Sequence, residues 1–210
     1  MDSVSKLFAV VPAAGRSRRM GRPKLLLPMG SKTVIARLLE VLIRSNVTET
    51  FVVVRRDDDD LKREAELAGA TVLQPTTDPP DMRDSVEFAL QHIGHKYVPA
   101  PTDGWLLIPA DHPILDASAL DALLARWKQD DCEILAPTFQ QKRGHPTFLR
   151  WKFAEAVSRI PPDRGLNWLV HCNVANVVEL EVETPSVTTD LDSPDDYQRL
   201  LEHWQNLDKS

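Results

Sequence analysis

The strongest constraint in this chain is a strand that ends in a loop no core could absorb. Leu7 to Val11 is a short, unbroken apolar run rich in valine, the pattern of a buried first strand. It leads into Val11-Pro-Ala-Ala-Gly-Arg-Ser-Arg-Arg-Met-Gly-Arg-Pro-Lys24, where Gly15, Gly21 and five cations (Arg16, Arg18, Arg19, Arg22, Lys24) share ten positions. The small residues Ala13, Ala14 and Gly15 let a backbone approach a ligand closely and leave main-chain N–H groups for phosphate oxygens. Lys and Arg a few residues on can neutralise a polyphosphate. A solvated basic loop is the plain alternative. The order of strand, small residues, glycine and cations favours anion binding.

The rest of the composition makes that basic loop a local feature. The chain of 210 residues carries a formal net charge of −6 and a pI near 5.5, which argues against a general nucleic-acid binder. A hydrophobic content of 42% supplies a real core, and no uninterrupted apolar stretch is long enough to span a membrane. The N-terminus lacks the basic, apolar and small-residue order of a secretory signal. Cys132 and Cys172 have no metal-ligand spacing and read as reduced, partly buried thiols, so a cytoplasmic location is expected.

Apolar periodicity then alternates between strand and helix. Val34, Ile35, Leu38, Leu39, Leu42 and Ile43 mark a helix with Ser31 as its candidate cap, and Thr50 to Val54 a strand. The acidic run Asp57 to Asp60 reads as the start of a helix carrying Leu61, Ala65 and Leu67, where negative charge suits the dipole. Thr71 to Leu73 is a short strand. Asp81 to Ser85 opens a helix with Val86, Ala89, Leu90 and Ile93 inside, and His95 to Asp103 is a connection. Trp105 to Ile108 is a central strand, a helix starts near Ser118, and Glu133 to Ala136 is a fifth strand. The 137–150 region reads as an excursion from the sheet, Phe153 to Ile160 as a helix broken by Pro161-Pro162, Val174 to Val182 as a strand, and the final helix runs through Trp204. The expected fold is α/β: a mostly parallel sheet covered on both faces, in one domain over 1–210.

Ligands of open α/β sheets bind outside the carboxyl ends of the strands. Three segments fall there: the 12–24 loop, Asp111 and Asp192. Asp111 leaves the run Leu106-Leu107-Ile108 between Pro109 and Pro113, and Asp192 precedes Ser193-Pro194, a good N-cap and N1 pair. Each aspartate alone reads as a loop or capping residue; two of them beside a phosphate loop suit Mg2+, held by carboxylates and substrate phosphate oxygens. A phosphate-monoester acceptor is already anionic and needs little general-base help, which fits the lack of a Ser-His-Asp or Cys-His arrangement.

Ala13, Ala14, Gly15, Ser17, Arg19, Met20, Gly21 and Lys24 stand in register with a nucleotidyltransferase signature, with Pro12 where leucine is usual. The chain resembles the MobA-like NTP transferase family, and within it the molybdenum-cofactor cytidylyltransferase branch. The resemblance implies a three-layer α/β/α, Rossmann-like (GT-A-like) nucleotidyltransferase fold. It implies Mg2+ on Asp111 of Asp111-His112-Pro113 and Asp192 of Asp192-Ser193-Pro194, triphosphate on Arg19 and Lys24, and nucleotide against Ala13, Ala14, Gly15 and Ser17. Met82 and Ser85 match an element that closes over the base, with Asp81 where glycine is usual. His145 of Arg143-Gly144-His145-Pro146 matches the acceptor side, and Asp163-Arg164-Gly165 a further loop of that branch. The implied reaction moves an NMP group, CMP from CTP by the Ala-Ala-Gly form, to molybdopterin or its molybdenum form and releases pyrophosphate. A molybdoenzyme or chaperone is the implied transient partner. The rival readings are a sugar-phosphate or small alcohol-phosphate nucleotidyltransferase, and a nucleotide- or cofactor-binding protein without turnover.

Overall fold

The computed structural model describes residues 5–113, 115–129 and 132–207. The chain opens with strand β1 (Leu7–Pro12) and, past the cationic loop, a two-stranded hairpin of β2 (Pro28–Met29) and β3 (Lys32–Thr33). Helix α1 (Val34–Arg44), strand β4 (Glu49–Val53), helix α2 (Asp59–Leu67), strand β5 (Thr71–Leu73) and helix α3 (Met82–Tyr97) follow. The second half runs β6 (Gly104–Leu107), α4 (Ala117–Trp127), β7 (Ile134–Phe139), β8 (Lys142–Arg143), β9 (Thr147–Arg150), α5 (Asn167–Cys172), β10 (Val177–Glu181) and α6 (Pro194–Leu207).

Every β1 residue is buried because both faces of the strand are covered. Leu7, Ala9 and Val11 point into a core shared with α1, α4 and α6, while Phe8 and Val10 point into one shared with α3 and the 151–160 segment. That two-residue alternation makes the sheet the middle of three layers, as expected. The main sheet has the order β10-β7-β9-β6-β1-β4-β5, with β8 added on β7. Strand β1 pairs in parallel with β4 on one side and β6 on the other. The connections after β1 and β6 therefore leave in opposite directions, and a crevice opens between them at the switch point.

Several local expectations are corrected. The 137–150 region is no excursion: β9 enters the main sheet between β6 and β7 and is antiparallel to both. Its pairing residues are buried on both faces, so the strand is central although only four residues long. Phe153 to Ile160 forms two 3-10 turns rather than a helix, with Phe153, Val157 and Ile160 still directed into the core. Thr33, not Ser31, caps α1: its hydroxyl accepts from Ala36 N at 3.3 Å. Helix α3 continues through His95 to Tyr97, β10 begins only at Val177 after a 3-10 turn, Leu67 is exposed, and so is Cys172 while Cys132 is buried.

Candidate active site

Sheet pairing carries one residue beyond β1, where Ala13 N donates to Val53 O at 2.8 Å. The chain then reverses through two left-handed positions, Ser17 at φ 47° and Gly21 at φ 65°. Met20 is buried in the α1-side core and pins the turn, while Ser17 Oγ accepts from Lys24 N at 3.2 Å. Gly15 is different. Its φ is not left-handed, and an added Cβ would meet nothing within 4 Å. Neither the backbone nor the packing calls for glycine there; the open space is the cleft.

Lys24 is the centre of the site. Its ammonium donates to Asp111 Oδ2 at 2.9 Å, to the Leu191 carbonyl at 2.7 Å and to Asp192 Oδ1 at 3.2 Å. Arg19 Nη1 lies 3.1 Å from the other oxygen of Asp192. Four residues that the sequence scatters over three segments thus meet within hydrogen-bonding distance.

The two aspartates stand on loops that are tied to each other. Leu191 N donates to Asp111 O at 2.8 Å, and His112 Nε2 lies 2.8 Å from Asp190 Oδ1. The second loop is fixed again at the start of α6. Asp196 N donates to Ser193 Oγ, and the Asp196 carboxylate accepts from the backbone of Asp192 and Ser193, a reciprocal cap. The hydrogen bond from His112 holds the Asp190 carboxyl below the usual carboxylate range.

The cleft has a volume of about 490 Å3, within the usual range for a small-molecule site. Ala13, Ala14, Gly15, Ser17, Arg19, Lys24, Met82, Ser85, Asp111 and Asp192 line it, so ten of the expected site residues surround one space. Met82 is exposed at its rim, whereas the Ser85 hydroxyl donates to Asp81 O at 3.2 Å as a first-turn residue does. The side chain of Arg18 lies outside the described residues.

His145 is not in the lining. It is partly buried behind the wall, its ring edge-on to His112 with centroids 4.8 Å apart. Burial above all, then the neighbouring His112, pushes its imidazole down to about 4, so it is neutral at pH 7. Its turn packs so closely on the 185–188 segment that a Cβ on Gly144 would lie 2.0 Å from Val187 O. The Asp163 loop adjoins the opening of α3, where Arg83 Nη1 donates to the Ile160 and Pro161 carbonyls at 3.2 and 3.3 Å.

One further cation escaped the sequence reading, and Arg16, counted there among the loop's cations, has a partner that the reading did not give. Arg55 leaves β4, pairs with Asp57 and Asp58 and donates to Gly15 O at 3.2 Å, bracing the loop from beneath. Arg16 meets Asp78 at 2.6 Å across the cleft. Gly15 and Asp78 lie far along the sequence from Arg55 and Arg16, so neither contact was signalled there.

Among the described residues, no three His, Cys, Asp or Glu side chains converge as a ready-made metal cage. The donor set fits a hard divalent cation nonetheless. Two carboxylates already face one shared positive charge, the Lys24 ammonium, and substrate phosphates and water would complete the shell.

A family model, the MobA-like NTP transferase domain, matches residues 9–177, which include most of β1, the cationic loop and Asp111. The chain belongs to the MobA-like NTP transferase family. A 2-C-methyl-D-erythritol 4-phosphate cytidylyltransferase from Tolumonas auensis is 37% identical over 119 residues, 56% of this MobA-like chain and 49% of that protein. The match thus spans about half the length of that relative. Among solved structures, a Mycobacterium sp. strain JC1 homologue of a Mycobacterium tuberculosis protein superposes with a TM-score of 0.79 at 28% identity, covering 96% of this chain and 98% of that one. A manganese complex of a Mycobacterium tuberculosis protein gives 0.78 at 26% identity, over 95% and 100% of the two chains. The expected Rossmann-like, mostly parallel fold is the fold of these neighbours. No helix among the described residues is long and apolar enough to cross a membrane.

Proposed function

We propose that this chain is a Mg2+-dependent cytidylyltransferase of a phosphorylated small molecule, acting as one domain in the cytoplasm. The observation that carries the reading is the Lys24 ammonium bonded to both Asp111 and Asp192 at the mouth of the β1 loop. Ala13, Ala14 and Gly15 present backbone to the nucleotide, with Ser17 shaping the turn, and Met82 and Ser85 flank the base. Lys24 and Arg19 carry the triphosphate, and Lys24 opposes charge that builds at the α-phosphate. Asp111 and Asp192 would hold Mg2+, which when bound neutralises phosphate charge and favours departure of pyrophosphate. A phosphate acceptor attacks as an anion, so the residues chiefly position and neutralise.

The base assignment is supported by the Ala-Ala-Gly loop and by the relative named a cytidylyltransferase. For the acceptor we favour molybdopterin, on the Arg143-Gly144-His145-Pro146 turn beside the 185–192 segment, with a molybdoenzyme or chaperone as transient partner. A small alcohol phosphate is the second reading, favoured by the 4-phosphate acceptor in the relative's name. Pyrophosphate release is the test, with Mg2+, each of the four NTPs, and either molybdopterin or 2-C-methyl-D-erythritol 4-phosphate. Release with CTP and molybdopterin, lost in Asp111→Asn and Asp192→Asn, is the expected result. NTP binding without pyrophosphate from any pairing would leave a non-catalytic binding protein.

A further inference from the structure

The cations of the cleft already occupy the groups that a divalent ion would need. Lys24 takes Asp111 Oδ2 and Asp192 Oδ1, and Arg19 takes Asp192 Oδ2, so three of the four carboxylate oxygens are engaged. The third donor of the ammonium goes to Leu191 O at 2.7 Å, which leaves Lys24 fully satisfied. The two cations differ in how they are held. The Lys24 side chain is 14% exposed and part of the wall, whereas Arg19 is 76% exposed and reaches in from solvent.

We infer that Lys24 is a place-holder: in the free protein it occupies the position between the two carboxylates, and it yields that position only when nucleotide phosphates offer it other partners. The inference rests on reading the cleft as a metal–nucleotide site. Carboxylate oxygens coordinate Mg2+ at about 2.0–2.1 Å, and an ammonium bonded to the same oxygens would meet the cation as a like charge at close range. Leaving without compensation would cost Lys24 three charge-assisted or carbonyl hydrogen bonds. A triphosphate supplies anionic oxygens of equal strength, so Lys24 transfers rather than loses its bonds, and the carboxylates are freed in the same event. Metal and nucleotide affinities are then coupled through one side chain, and each must raise the other by the same factor.

Binding of Mn2+, followed by the electron paramagnetic resonance of the free ion, tests this without turnover. The proteins are wild type, Lys24→Met, Lys24→Gln and Arg16→Met, each with and without CTP and each checked for folding by thermal unfolding. Arg16 lines the same cleft but pairs with Asp78, so its variant removes a charge without vacating the carboxylates. Without nucleotide, both Lys24 variants should bind Mn2+ about tenfold or more tightly than wild type, with Arg16→Met close to wild type. Addition of CTP should tighten Mn2+ binding far more in wild type than in either Lys24 variant. Equal Mn2+ affinity of wild type and the folded Lys24 variants overturns the inference, as does an equal gain in Arg16→Met, which would make the effect one of net charge. Mn2+ bound by no protein even with CTP overturns the metal–nucleotide reading itself, and the place-holder with it.

Discussion

Gly15 and Gly144 are both glycines near the cleft, yet they are glycine for opposite reasons. A methyl group on Gly15 enters open space, whereas one on Gly144 strikes the Val187 carbonyl. Gly15→Ala should leave unfolding free energy within about 0.5 kcal/mol of wild type and weaken nucleotide binding about tenfold. Gly144→Ala should cost about 1–3 kcal/mol or more, because backbone cannot move aside as a side chain can. Chemical denaturation and a nucleotide titration on the two variants separate the roles. His145 makes a prediction of its own. Its ordinary value of 6.5 applies to the unfolded chain and about 4 to the native one, so between them only the unfolded chain takes a proton. Stability is full above the unfolded value and falls as pH drops, by about 2 kcal/mol between pH 7 and pH 5. In urea unfolding at the two pH values, His145→Gln should lose less than wild type; an equal loss would place the titration elsewhere.

At the scale of elements, the site depends on two loops keeping their spacing. Besides the Lys24 ammonium, which reaches both loops, the Leu191–Asp111 backbone bond and the His112–Asp190 pair tie them directly, and of these two the second rests on side chains that mutation can remove. His112→Ala should raise the metal requirement and lower turnover about 10- to 100-fold, as removal of outer supports of metal ligands does. His112→Gln, which can still donate to Asp190, should recover most of the loss. Failure of glutamine to rescue would make the ring's packing, not its hydrogen bond, the cause. The loops themselves were legible because their signals are local: an apolar run, then Gly, Pro and charge. The same is true of Asp192, which Ser193-Pro194 places at a helix start. The His112–Asp190 pair was not legible, since nothing in either stretch names its partner 78 positions away. Strand β9 was missed for a related reason. Four residues after a proline carry too little periodicity to register, and only the groove between β6 and β7 makes Thr147 to Arg150 a strand. Conversely, Phe153 to Ile160 has helical spacing, but the segment is short and ends at Pro161-Pro162, so it settles into 3-10 turns that bury the same side chains.

For the whole molecule, the balance of charge matters more than its total. The cleft gathers Arg16, Arg19, Lys24 and Arg55 from an acidic chain, and it pairs them with aspartates in advance. A phosphate entering such a site exchanges partners instead of falling into an unscreened positive field, which favours discrimination over raw attraction. The sheet has a comparable economy of timing. Leu107 in β6 pairs with Thr147 in β9, about forty residues later, and β6 is apolar along its whole length. A chain emerging from the ribosome therefore carries β6 as a naked edge until β9 is made, and only then can the two halves of the sheet lock. A chain ending at Gln140 should aggregate or be held by chaperones, and in the full chain the amides of β6 and β7 should gain exchange protection in one step. Early protection of β6 in the shorter chain would show that its edge is guarded some other way. A strand of only four residues is in this sense a clasp: until it is synthesised, nothing joins β6 to β7 in the sheet.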